Sequence, residues 1–163
     1  TVHETRPLAD GAGRAKVENE DTATALVRFA NGAQGSISTS RSAWGRKNRL
    51  AWEVHGTKGM LCFDQERLNE LQLYRNECPT AKQGFTTILT GPEHPPYGNF
   101  CPAPGHQLGF NDLKVIEAAA LLRAIRDNHA AYPGFDDAFE FEKVIHAVAL
   151  SAREERRVKI DDL

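Results

Sequence analysis

Short runs of alternating apolar and polar residues, separated by turn residues, fill the first half of this chain. Residues 22–30 are rich in Thr, Val, Leu and Phe and end at Asn31-Gly32, a pair that tolerates the positive φ values of tight hairpin turns. The chain returns through residues 33–40, which predicts an antiparallel hairpin. The same pattern predicts further strands, joined as a meander, at 49–55, 60–63, 71–74 and 85–89.

One face of the returning strand is small and hydroxylated. Because side chains of a strand alternate between its two faces, Ser36, Ser38 and Ser40 share one side. Open antiparallel sheets need a cover for each apolar face. Two helices can cover one face only, so the opposite face is expected to meet another copy of the chain or water.

The second half of the chain has the 3.6-residue period of helices. A helix is predicted over 111–128, with Asn111 as its N-cap. Its apolar stripe consists of Leu113, Ile116, Ala120 and Ala124. Pro133-Gly134 interrupts the chain before a second predicted helix over 136–153, and 157–160 is predicted to be a final strand. Together these elements predict an α+β fold, a large, open, mainly antiparallel sheet with two helices packed on one face.

A long irregular segment, 90–110, separates the strands from the helices and is punctuated by Gly and Pro. Loops of this length in compact domains are often functional, although a purely structural surface loop fits the sequence equally well. We expect a single domain over 1–163, whose strand-rich part covers 17–90.

Composition excludes several classes of partner. The 163 residues carry a formal net charge of -2, so electrostatics favour neither nucleic acid nor an anionic membrane. No apolar run has membrane-spanning length.

The chain has an odd number of cysteines, which are widely spaced: Cys62, Cys78 and Cys101. This pattern indicates reduced thiols in a cytoplasmic protein and argues against a metal site. The chain starts at Thr1 rather than Met, which is typical of an excised domain or a processed product.

A dinucleotide fingerprint is suggested by Gly11-Ala12-Gly13 but fails in context. The third glycine position is Lys16, and no strand precedes the segment. A turn is the better interpretation, so no cofactor-binding residue is assigned.

The segment 41–49 is the richest candidate site. An indole face can stack on the C–H surface of a polyhydroxylated ligand, while cationic and amide groups hydrogen-bond its hydroxyls. A solvated, charged hairpin end is an equally good interpretation. His106 lies near glycines before a predicted helix and could reach a ligand or be a simple loop residue. The candidate substrate-binding residues are Arg41, Trp44, Arg46, Lys47, Asn48 and His106.

Several segments, in this order and spacing, resemble one family. They are Asn19–Ala23, Phe29–Ala33, Gly45–Asn48, the E-x-x-G-x-K-G segment Glu53–Gly59, Phe63-Asp64, Asn69–Leu71, the loop from Gly105-His106 to Asn111-Asp112, and Ser151–Glu154. The chain thereby resembles the C-terminal, sheet-forming domain of the glucose–fructose oxidoreductase, inositol dehydrogenase and MocA (Gfo/Idh/MocA) family.

The resemblance implies a parent NAD(P)-dependent dehydrogenase that acts on a polyol, inositol or sugar-like substrate. Its members bind NAD or NADP in an N-terminal Rossmann domain, with a catalytic Glu-Lys-Pro motif and an acid–base Asp-x-x-x-His motif. Neither motif occurs in this sequence, so the chain alone is not expected to be catalytic, and no catalytic residue is assigned. The resemblance also implies homo-oligomerisation through the open sheet face. The alternative is a non-enzymatic dimerisation scaffold or small-molecule sensor.

Overall fold

The strands precede the two α-helices along the chain in the computed structural model, which describes residues 1–77 and 79–163. Cys78 lies outside the described residues. The strands are β1 (Thr5–Pro7), β2 (Arg14–Lys16), β3 (Thr22–Arg28), β4 (Gln34–Ser40), β5 (Ala51–Gly56), β6 (Gly59–Asp64), β7 (Glu70–Arg75) and β8 (Phe85–Leu89). The helices are α1 (Phe110–Arg126) and α2 (Phe135–Glu154). This order confirms the α+β class and the antiparallel meander.

The strands hydrogen-bond as three antiparallel sheets within the described residues, rather than as one large sheet. β1 pairs with β2, β3 with β4, and β5 to β8 form a four-stranded sheet in chain order. The chain leaves the extended conformation between β4 and β5, because Gly45 and Asn48 have φ values of 87° and 65°. This break ends the ladder of β4 before β5 begins.

The chain forms two compact units. The first unit consists of Thr1–Arg46 and Glu140–Leu163, and the second of Lys47–Phe139. The prediction of one domain over 1–163 is not tested by this division and stays a prediction.

The β3–β4 hairpin of the first unit has the predicted hydroxylated face. Gly32 closes the turn at a φ of 88°. The register pairs Thr22 with Ser40, Thr24 with Ser38, Leu26 with Ser36 and Arg28 with Gln34. All eight side chains of this face are exposed. The opposite face carries the half-buried Ala23, Ala25 and Val27.

Asp21, just before β3, is the most deeply buried polar residue of the first unit, with 2% of its surface exposed. Its carboxylate accepts hydrogen bonds from the backbone amides of Val2 (2.9 Å) and His3 (3.0 Å). It also forms an ion pair with the guanidinium of Arg6. A buried carboxylate with three such donors ties the N-terminal segment to the start of the hairpin.

Acid is expected to weaken the interactions of the Asp21 carboxylate with the N-terminal segment. The amide of His3 lowers the pKa of Asp21 below its ordinary value of 3.8; burial opposes this, and the Val2 amide and Arg6 add to it. Because the folded-state pKa lies below the unfolded-state value, the stabilisation is present above about pH 4 and is lost as the pH falls through the folded-state pKa. The stability of Asp21→Asn, measured by circular dichroism during acid unfolding, should therefore depend less on pH than that of wild type below about pH 4. Asp10→Asn, at an exposed turn carboxylate, is the matched control. Equal acid sensitivity of wild type and Asp21→Asn would contradict the role of Asp21.

The four-stranded sheet of the second unit separates apolar from polar rows. One face aligns Trp52, Phe63, Leu71 and Ile88 across the strands, and the other aligns Glu53, Cys62, Gln72 and Thr87. The Trp52 and Phe63 rings lie 5.8 Å apart between centroids. The exposed fraction is nevertheless 41% for Trp52 and 57% for Val54, so this apolar face is incompletely covered.

The helix boundaries differ from the sequence-based ones in ways that local chemistry explains. The N-cap of α1 is Gly109 rather than Asn111, because the side chain of Asp112 accepts a hydrogen bond from the Gly109 amide at 2.7 Å. Of the predicted stripe of α1, Ala124 is buried. Asn128, at a φ of 50°, follows the end of the helix.

The predicted final strand at 157–160 is wrong. Residues 157–159 have no ladder partner in the described part of the chain, and Ile160–Asp162 form a 3-10 turn. A strand needs a neighbour to satisfy its backbone groups, whereas Asp161 and Asp162 favour turns. None of the helices in the described residues has the length and apolarity required to cross a membrane.

Candidate functional site

The candidate segment of the first unit, residues 41–46, is a turn that begins at the end of the β3–β4 ladder. The backbone amide of Arg41 donates to the carbonyl oxygen of Asp21 at 2.8 Å. The amide of Ser42 donates to the Ser40 hydroxyl at 3.1 Å. These bonds fix the start of the segment and leave the Arg41 side chain exposed.

Trp44 is the most exposed tryptophan of the chain, with 96% of its surface accessible. Gly45 follows with a φ of 87°, so the backbone turns sharply at the position after the indole. Burial of a large aromatic ring is strongly favourable, so an exposed ring gains free energy when a ligand or a partner covers it. Arg46 is exposed beside it.

Residues 47–50, which open the second unit, are held by their backbone. The amide of Lys47 donates to Glu66 Oε1 at 2.6 Å, and the carbonyl oxygen of Asn48 accepts from Gln65 Nε2 at 3.1 Å. Arg49 forms an ion pair with Asp64 at 3.0 Å. Because backbone atoms make the first two bonds, the exposed side chains of Lys47 and Asn48 can donate elsewhere.

His106 lies in the long loop of the second unit, and its ring is oriented by a backbone carbonyl. Gly105 has a φ of 88°, and both the amide and Nδ1 of His106 lie within hydrogen-bond distance of the Ala103 carbonyl oxygen, at 3.1 and 3.0 Å. A carbonyl oxygen only accepts, so Nδ1 carries the proton. In the neutral imidazole, Nε2 is then an acceptor for a hydroxyl group.

The six predicted site residues thus divide between the two units. Arg41, Trp44 and Arg46 belong to the first unit, and Lys47, Asn48 and His106 to the second. All six are exposed. Their assignment to one substrate site stays a prediction.

Sequence reasoning missed the hydrogen-bonding role of Asn69. Its side chain bonds the backbone of Leu108, 39 positions away. No local pattern reports a contact at this distance along the chain. The one local signal is that an Asn directly before a strand commonly bonds nearby backbone.

The segment Gly11-Ala12-Gly13 does not suit a nicotinamide dinucleotide. It lies in the connection between β1 and β2, where the amide of Gly11 donates to the Leu8 carbonyl oxygen at 3.1 Å. β1 precedes the glycines, so the expectation that no strand precedes them is wrong. A dinucleotide fingerprint also requires a helix N-terminus after the glycines to hold the pyrophosphate. This segment returns as a strand instead, so it supplies no such site.

Residues 3–160 match the model of an oxidoreductase family, described as its C-terminal alpha/beta domain. The levoglucosan dehydrogenase of Pseudarthrobacter phenanthrenivorans is 35% identical over 147 residues, which cover 90% of this chain and 38% of that protein.

Solved structures agree with this match. A levoglucosan dehydrogenase in complex with NADH and L-sorbose superposes with a TM-score of 0.91 at 34% identity, covering 96% of this chain and 42% of that one. An NAD-binding oxidoreductase from Klebsiella pneumoniae gives a TM-score of 0.88 at 38% identity, with the same coverages of 96% and 42%.

The chain therefore belongs to the Gfo/Idh/MocA family of oxidoreductases and corresponds to its C-terminal α/β domain. This confirms the family and the fold class expected from the sequence. It spans 38% of the length of the curated relative it matches.

Proposed function

We propose that this chain is the substrate-side domain of an NAD(P)-dependent dehydrogenase that oxidises a sugar or a related polyol. The observation that carries the proposal is the 35% identity to levoglucosan dehydrogenase across 90% of the chain. The fold supports it through the superposition with an enzyme that holds NADH and L-sorbose. In this proposal residues 1–163 act as one substrate and oligomerisation domain in the cytoplasm.

The chain's own contribution is to hold a polyhydroxylated substrate. Trp44 offers its ring face to the C–H surface of a sugar, and His106 Nε2 accepts a hydrogen bond from a sugar hydroxyl. The cationic and amide donors address the sugar oxygens from Arg41, Arg46, Lys47 and Asn48. None of these residues transfers the proton in this proposal, because the chain has neither catalytic motif of the family.

The hydroxylated face of β3 and β4 is proposed to meet its copy in a homo-oligomer. Leu26 retains 89% of its surface and lies opposite Ser36 on this face. The hydroxyl oxygens of Thr24 and Ser38 lie 3.4 Å apart, so the two side chains can hydrogen-bond to each other across the hairpin. Apart from Arg28 and Gln34 at the turn end of the hairpin, the face consists of small hydroxylated side chains around one exposed leucine, which suits close approach of two sheets.

Nucleotide binding tests this division of labour. We expect the 163-residue chain, checked for folding by circular dichroism, not to bind NADH or NADPH up to millimolar concentration in a fluorescence titration. The full-length protein, meaning the parent dehydrogenase in which this proposal joins the chain to a nucleotide-binding domain, should bind one of them saturably. Saturable binding by the chain alone would contradict the proposal. Absence of binding by the full-length protein would favour a scaffold or sensor instead.

A further inference from the structure

Both ends of the long loop that carries His106 are bonded to one residue, Asn69. The backbone amide of Thr90, at the start of the loop, donates to the Asn69 carbonyl oxygen at 2.9 Å. At its far end, the amide of Leu108 donates to Asn69 Oδ1 at 2.8 Å, and Asn69 Nδ2 donates to the Leu108 carbonyl oxygen at 2.9 Å. Asn69, in the connection between β6 and β7, therefore holds the two ends of the loop to the same residue.

The side-chain amide of Asn69 imitates a strand partner. A carboxamide presents one acceptor and a pair of donors, so it can satisfy the N–H and the C=O of a single residue at once. Leu108 is buried, with 6% of its surface exposed, and its backbone groups would otherwise lack a partner away from water. No charged side chain has this pairing, because a carboxylate cannot donate and an ammonium cannot accept.

Two fixed points enclose the segment with His106. Cys101 is fully buried, and its amide donates to the Tyr97 carbonyl oxygen at 2.8 Å. Leu108 is the other fixed point, held by Asn69. Between them, residues 102–107 are exposed apart from the half-buried Ala103. His106 lies two positions before Leu108, so the anchor at Leu108 limits where its ring can lie.

We infer that Asn69 is a positioning residue for His106 and thereby sets the affinity for the sugar. The inference rests on the proposed function, because it assigns Asn69 to the same substrate site. Asn69 does not touch the substrate in this account. It acts by keeping the Leu108 end of the loop fixed, which spares the substrate the entropy of ordering the His106 segment.

The test uses the full-length protein with Asn69→Ala, Asn69→Asp, His106→Ala and the double variant Asn69→Ala/His106→Ala. Asn69→Asp keeps the shape but loses the Nδ2 donor and faces a carboxylate toward the Leu108 carbonyl oxygen. Asn76→Ala is the matched control, because Asn76 follows the far end of β7 and its Oδ1 accepts a hydrogen bond from Nε2 of the half-buried Gln83 at 3.1 Å. The readouts are the KM for the sugar, kcat, and hydrogen exchange within 102–108, that is, at the amides of Ala103 and of residues 105–108, because Pro102 and Pro104 have no N–H.

Both Asn69 variants are expected to raise KM about tenfold, the equivalent of one or two lost hydrogen bonds, with a smaller change in kcat. Exchange at 102–108 should rise in both, while Asn76→Ala leaves KM and this exchange unchanged. The double variant should have the KM of His106→Ala alone, because a residue that acts only through His106 adds nothing once the ring is gone.

Unchanged exchange at 102–108 in Asn69→Ala would overturn the anchor itself. Increased exchange with an unchanged KM, or KM effects that multiply in the double variant, would overturn positioning of His106. A wild-type protein that oxidises no sugar would instead overturn the proposed function and the effect on KM. The exchange measurement would then still report on the anchor, so the two failures are distinguishable.

Discussion

Replacing Gly59 by alanine is expected to lower the free energy of unfolding by about 3 kcal/mol, the upper part of the usual range for overpacking. A Cβ atom at Gly59 would lie against the backbone carbonyl oxygen of Tyr74, far inside van der Waals contact. That oxygen belongs to the neighbouring strand β7, which pairs with β6 across five residue pairs. It cannot move aside without shifting the ladder, so the strand pair itself must give way.

Gly56→Ala is the matched control, because Gly56 is the cross-strand partner of Gly59 in the β5–β6 pair. A Cβ there would meet its nearest atom, the Gly59 carbonyl oxygen, at 3.5 Å, which is an ordinary contact. Its stability should stay within about 0.5 kcal/mol of wild type. Urea denaturation of the 163-residue chain, followed by circular dichroism, compares the two. Equal losses in both variants would contradict the steric account of Gly59.

Replacing Trp44 by alanine is expected to raise the KM for the sugar about tenfold, which corresponds to the loss of one aromatic contact. Because 96% of the Trp44 surface is accessible, its removal should not change the thermal midpoint of the protein. The separation of a binding effect from a stability effect identifies a ligand contact. Steady-state kinetics and a melting curve on the full-length protein measure both quantities.

Trp52→Ala is the control for this prediction. Trp52 packs on Phe63 in the four-stranded sheet, so its removal should lower the melting temperature. An unchanged KM in Trp44→Ala would remove Trp44 from the substrate site. A fall in melting temperature there as large as that of Trp52→Ala would show that the ring is structural.

Elements with a strong local signal could be predicted from the sequence. Asn31-Gly32 demands a tight turn, and the alternation on either side of it has no helical counterpart, so β3 and β4 follow from the residues. The four-stranded meander follows in the same way. The E-x-x-G-x-K-G segment carries part of the resemblance to the family, and the structure adds a physical reason for its last glycine, Gly59, where backbone from β7 leaves no room for a side chain.

Features that depend on partners distant along the chain could not be predicted. The prediction of a final strand was wrong because a strand requires a neighbouring strand, and nothing in residues 157–160 reports whether one is present. The break in the chain between β4 and β5 includes positive φ values at Gly45 and Asn48, which the composition of the segment does not fix. Within the candidate site, the charged and aromatic residues were visible as a cluster. The anchor at Asn69 was not, because its partner lies 39 positions away.

The most direct test of the central claim is a nucleotide-reduction assay of the full-length protein. NAD⁺ and NADP⁺ are supplied separately with a panel of sugars, including levoglucosan and L-sorbose, and with polyols and inositols. The absorbance of the reduced nicotinamide is then followed. We expect reduction of at least one nucleotide that depends on a polyhydroxylated substrate. A folded protein that binds nucleotide but reduces neither with any member of the panel would contradict it.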